Sequence, residues 1–64
     1  MKNTNDVPAF LADGVNGLAV HNGVARIQFM RLDIEGRPTP ACEVQIPAGV
    51  LKGVVEALRK ILPA

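Results

Sequence analysis

Residues 47–62 read PAGVLKGVVEALRKIL. Leu51, Val54, Val55, Leu58 and Leu62 recur at the three-and-four spacing of one helical face, and Val50 and Ile61 widen that stripe. Lys52, Glu56, Arg59 and Lys60 occupy the opposite arc. The spacing predicts an amphipathic helix, with Pro47 in its first turn, where a missing N–H costs nothing, and Pro63 closing it. Such a stripe must be covered, and the residues before it offer only short strands.

Working back from the helix, residues 42–46 alternate as a strand, with Cys42, Val44 and Ile46 on one face and Glu43 and Gln45 on the other. Residues 35–41, EGRPTPA, read as a loop on their glycine and two prolines. Asn22-Gly23 is the hairpin signal of the chain, and it joins strands predicted over residues 15–21 and 24–34. A two-residue turn sets Val20 opposite Ala25, Leu18 opposite Ile27 and Asn16 opposite Phe29, so the large apolar side chains share one face. A three-residue loop would set Leu18 against Arg26 and mix the faces, which disfavours it. Beyond Phe29 the alternation slips. Either a β-bulge near Met30 restores one apolar face, or the strand stays regular and its second face carries Met30, Leu32 and Ile34.

The fold class expected is α+β: a three-stranded antiparallel meander followed by one C-terminal helix, β-β-β-α. Residues 1–9 read as a polar tail and residues 10–64 as a single domain, with Phe10 and Leu11 tucked over one end of the sheet. The strand face of Leu18, Val20, Ile27, Phe29, Cys42, Val44 and Ile46 is expected to receive Leu51, Val55, Leu58 and Leu62 of the helix.

A chain of 64 residues makes only a small interior, because short chains bury about 60% of the surface they expose when unfolded. Domains of this size commonly rely on disulfides, a metal or a partner. Cys42 is the only cysteine, which rules out an internal disulfide, and Cys42 with His21 falls short of the four ligands zinc usually takes. Self-association is what remains. The lone thiol suits a reducing compartment, so the cytoplasm is the location expected. No apolar run reaches membrane-spanning length, and residues 1–10 lack an export signal. The net charge of +1 argues for neither a nucleic acid nor a membrane surface.

Motifs for phosphate, dinucleotide or metal-hydrolase chemistry are absent, as are Ser and Tyr, so neither a cofactor nor enzymatic activity is expected. A Cys42–His21 couple would need a shared site, which a core-facing thiol and a turn-edge imidazole do not make. Asp33 and Glu35 share a strand parity and form a candidate carboxylate pair, against the plainer reading of a charged strand end. Arg26 and Arg31 are the candidate contacts of a nucleic-acid-binding β-ribbon, although they differ in parity and no stacking aromatics accompany them. Gly49, Gly53 and Ala57 recur every four residues along the helix; since a helical glycine costs about 1 kcal/mol against alanine, close approach of another element is one reason to keep them.

The pattern ADGVNGLAVHNGVARIQFMRLDI, a proline-containing loop and ACEVQIPAGVLKGVVEALRKIL resembles short bacterial proteins of a domain-of-unknown-function type, over about residues 12–62. The resemblance implies the β-β-β-α order and no catalytic residues. Pro47 stands directly after the third strand, where those proteins more often carry a short polar cap.

The function expected is a non-enzymatic structural or protein-interaction module that works as a homo-oligomer, with a dimer favoured and a protein partner as a further option. Met30, Leu32 and Ile34 on the sheet and Gly49, Gly53 and Ala57 on the helix are the expected self-association residues. The alternatives are the nucleic-acid-binding ribbon and a chaperone-like module that takes extended peptides.

Overall fold

The structure is a computed structural model that describes residues 6–63. Its order is β1 (Gly14–His21), β2 (Val24–Leu32), β3 (Pro38–Pro47) and α1 (Ala48–Arg59), and the three strands form one antiparallel sheet with β2 in the centre. The β-β-β-α architecture is therefore the fold. The hairpin between β1 and β2 closes through Asn22 and Gly23, both at positive φ (52° and 76°), as a type I′ turn requires. Leu18 faces Ile27 and Val20 faces Ala25.

The register beyond that point differs from the one expected. Val15, not Asn16, lies opposite Phe29, because β1 carries an extra residue between Val15 and Gly17. β3 carries its own extra residue, Ala41, since Phe29 pairs with Cys42 and Met30 with Pro40. The bulges thus sit in the flanking strands while β2 runs without interruption. Val15 and Cys42 are brought onto the Phe29 side, and Met30 and Leu32 stay on the opposite face. Ile34 lies past the end of β2, in the turn that leads to β3.

β3 also begins earlier than the sequence suggests, at Pro38. Backbone geometry explains why prolines are accepted there. His21 and Val24 flank a two-residue turn and so exchange hydrogen bonds, after which bonded and non-bonded pairs alternate. Along β2 the even-numbered residues consequently bond β1 and the odd-numbered ones bond β3. The Asp13 N–H donating to the Met30 carbonyl (2.7 Å) and the Leu32 N–H donating to Asp13 Oδ2 (2.8 Å) agree with this. Pro38 and Pro40 lie opposite Leu32 and Met30, so their nitrogens point to the outer edge, where no donor is needed.

Pro47 is the last residue of β3 and the N-cap of α1, rather than part of the first helical turn. The first helical N–H, that of Ala48, donates to the Gly23 carbonyl (2.7 Å) and ties the helix start to the hairpin tip. The helix ends at Arg59, three residues earlier than the periodicity predicts, and turns continue to Leu62 through bonds such as the Leu62 N–H to the Arg59 carbonyl (3.3 Å).

The expected closed core is not there. Ala25 is the one buried apolar residue among those described (4% exposed). Leu51 and Val54 of α1 are half-buried, but Val55, Leu58, Ile61 and Leu62 are exposed, as are Leu18 (74%), Val20 (66%) and Val44 of the sheet. Phe10 and Leu11 are also exposed and do not cover the sheet end. A helix pinned at the hairpin tip and twelve residues long lays only part of its stripe on three strands, and the rest has nothing opposite it.

Candidate functional site

The open apolar surface has a definite shape. Between α1 and the β1–β2 side of the sheet runs a groove of about 550 Å3, floored by Leu18, Val20, Ala25 and Ile27 and walled by Leu51 and Val55. The floor follows from strand alternation: residues 18, 20, 25 and 27 share one face in the observed register. The wall follows from the helical spacing of residues 51 and 55.

The opposite face of the sheet is polar and internally satisfied. Glu43 is its hub: Gln28 Nε2 donates to Oε1 (2.9 Å), Gln45 Nε2 donates to Oε2 (2.8 Å), and Arg26 Nε lies 3.7 Å from Oε2. The amide donors, Gln28 first, hold the Glu43 carboxyl below the ordinary glutamate range, with the Arg26 charge adding to them. Arg26 is therefore occupied in a cross-strand cluster. Because β2 carries no bulge, Arg31 projects from the other face, and the two arginines do not make a common basic ribbon.

Asp33 and Glu35 do not share a strand face. Both lie in the β2–β3 connection, where Asp33 organises the loop. Its Oδ1 accepts the N–H groups of Glu35 (2.8 Å) and Arg37 (2.9 Å), and the Gly36 N–H donates to its carbonyl (2.9 Å). Gly36 takes the positive φ (80°) that this turn needs. The Arg37 side chain reaches both Asp33 (Nε to Oδ2, 3.6 Å) and Glu35. Hydrogen bonds from the Arg37 and Glu35 backbones hold the Asp33 carboxyl below its usual value, and the same bonds organise the loop.

A group with a depressed folded pKa stabilises at pH above its unfolded value, near about 3.9 for aspartate, and that contribution is lost as pH falls through the folded value. Lowering pH from 5 is thus expected to leave the loop intact until below about 4, then to release the Glu35 and Arg37 amides. In Asp33→Asn that acid step should vanish. Amide chemical shifts of residues 33–37 against pH check this; an unchanged acid step in the variant would refute the assignment.

His21 ends β1 on the polar face, whereas Cys42 lies in β3 opposite Phe29 on the other face, with β2 between them. Among the described residues, no three His, Cys, Asp or Glu side chains are grouped to hold a metal ion, and no helix is long and apolar enough to cross a membrane.

The residues predicted for self-association are dispersed. Met30 is half-buried beside Gly14, Leu32 is exposed on the same polar-side face, and Ile34 is fully exposed in its turn. Gly49 and Gly53 have open space where a side chain would begin, and Ala57 is exposed. The helical trio is thus free of close neighbours within the chain, on the flank of α1 turned away from Val55. Asp13, just before β1, extends the β1–β2 ladder with both its backbone and its carboxylate. An aspartate one residue before a strand glycine is the signal that would have pointed to it.

Comparison with known protein families, curated proteins and solved structures gives no match to this chain.

Proposed function

We propose that this chain is a self-associating structural or protein-interaction module, a homodimer in its working form, without catalysis. The observation that carries the reading is surface. The chain exposes 5618 Å2, whereas a compact protein of 6.8 kDa exposes about 4,000 Å2. Its radius of gyration is 14.2 Å, against about 11 Å for a compact chain of this length. Part of the surplus lies on residues 6–12, which are exposed and belong to no strand or helix, and part lies on the groove and the outer turns of α1. If each chain covers about half of that surplus, two chains share about 1,600 Å2, the size of a standard specific interface.

The chemistry of the side chains favours a non-enzymatic role. The carboxylates of Asp33 and Glu43 are engaged by backbone, amide and guanidinium donors, and the thiol and imidazole lie apart. The unpaired Cys42 favours a reducing compartment such as the cytoplasm. Light scattering with sedimentation from low to high micromolar concentration tests the dimer. Twice the chain mass, with dissociation and unfolding linked on dilution, is expected. A folded single-chain species across that range would overturn the reading.

A further inference from the structure

The two outer edges of the sheet are not alike. β3 is guarded: Pro38 and Pro40 remove donors from its outer side, the extra residue Ala41 breaks its line, and the charged Glu43 sits on it. β1 shares only the extra residue, Asn16, and lacks the prolines and the charge. Its sequence GVNGLAVH holds no Pro, Lys, Arg, Asp or Glu. The pairs Leu18–Ile27 and Val20–Ala25 are non-bonded ones in the alternation set by the hairpin turn, so the N–H and C=O groups of Leu18 and Val20 point outward. Among the described residues no strand lies beyond them.

We infer that β1 is the joint between two copies: it pairs antiparallel with β1 of a second chain about a twofold axis normal to the sheet. This rests on the dimer reading above. The product is a six-stranded sheet in the order β3-β2-β1-β1-β2-β3. Residues 17–21 are the regular stretch of β1 after its bulge. Their midpoint is Ala19, so the axis passes beside Ala19 and Leu18 of one chain bonds with Val20 of the other. An isologous contact of this kind is self-complementary and closes at two.

Edge pairing also accounts for the groove. With the axis normal to the sheet, both apolar faces lie on one side. Leu18 and Val20 of the two chains then meet as a cluster of four at the centre, which is the floor left open in the single chain. The two helices approach from either side, each with its Val55 flank toward the axis. The occupant of the groove is thus the second copy's own floor and helix.

The test is a chemically synthesised chain N-methylated at Val20, which removes an outward donor and crowds the edge while keeping every side chain. A second chain N-methylated at Gln45, whose N–H points outward from β3, is the control. In sedimentation equilibrium the Val20 modification is expected to weaken dimerisation at least about a hundredfold, because each dimer carries it twice, and the Gln45 modification to leave it unchanged. In the unmodified protein, a mixed-label sample should show contact between Leu18 of one copy and Val20 of the other. A dimer that survives methylation at Val20 and lacks that contact overturns the joint while leaving the dimer standing. An unmodified chain that is single and folded overturns both. A single chain whose β1 edge instead takes an extended peptide also overturns the second copy as its occupant.

Discussion

Leu18→Glu is expected to weaken dimerisation by about a thousandfold and to leave an unfolded or loosely folded chain at low micromolar concentration. Leu18 is 74% exposed within one chain, on the floor of the groove. If a second copy covers it, each chain loses about 2 kcal/mol of apolar burial, and a twofold interface counts the loss twice, for about 4 kcal/mol in all. At about 1.4 kcal/mol per tenfold this is about three orders of magnitude, before the cost of desolvating a carboxylate. The control is Gln45→Glu. It adds the same charge on the polar face of β3, opposite Arg26 but away from the proposed joint, and should preserve association. Sedimentation with far-UV circular dichroism over a dilution series reads both. Equal mass and stability for Leu18→Glu and the parent chain would contradict a covered groove.

The second large effect is expected at Gly23. Its φ of 76° lies in the left-handed region, which costs an L-residue about 1–2 kcal/mol, and more when the side chain is β-branched. Its carbonyl also accepts the Ala48 N–H that anchors α1, so a distorted turn displaces the helix start as well. Gly23→Val should therefore destabilise by about 2–3 kcal/mol, which for a chain of this size lowers Tm by about 10–20 °C. Gly23→Asn should cost much less, since asparagine tolerates positive φ. Melts must be compared at one protein concentration, because self-association of the kind proposed makes Tm concentration-dependent. Equal losses for valine and asparagine would show that the backbone angle is not the cause.

The parts of the fold that were legible are those set by local chemistry. Asn22-Gly23 dictates the turn, the turn dictates the Leu18–Ile27 and Val20–Ala25 pairs, and the helical spacing of residues 51–58 dictates α1. The parts that were not legible depend on which side of a strand faces outward. Pro38 and Pro40 read as loop because proline breaks a ladder, but on an outer edge they break nothing. The slip in alternation after Phe29 is real, yet the extra residues are Asn16 and Ala41 in the neighbouring strands, and a single strand's pattern cannot assign a bulge to its neighbour. Asp33 and Glu35 share a parity along an extended strand, but β2 ends at Leu32 and both lie in the connection beyond it. The apolar stripes of sheet and helix meet only in part: Leu51 is half-buried, while Val55, Leu58 and Leu62 stay exposed. How far one helix covers three strands depends on where it is pinned, and the Ala48–Gly23 bond does that without a sequence motif.

The unequal edges have a further result for bulk behaviour. A sheet receptive along both margins would add copies without limit and grow into ribbons or fibres. In the proposed joint one margin, β1, takes the neighbour, while Pro38 and Pro40 withhold donors from the other. In that arrangement the prolines would set a finite size, capping the outer margins so that the assembly closes at two.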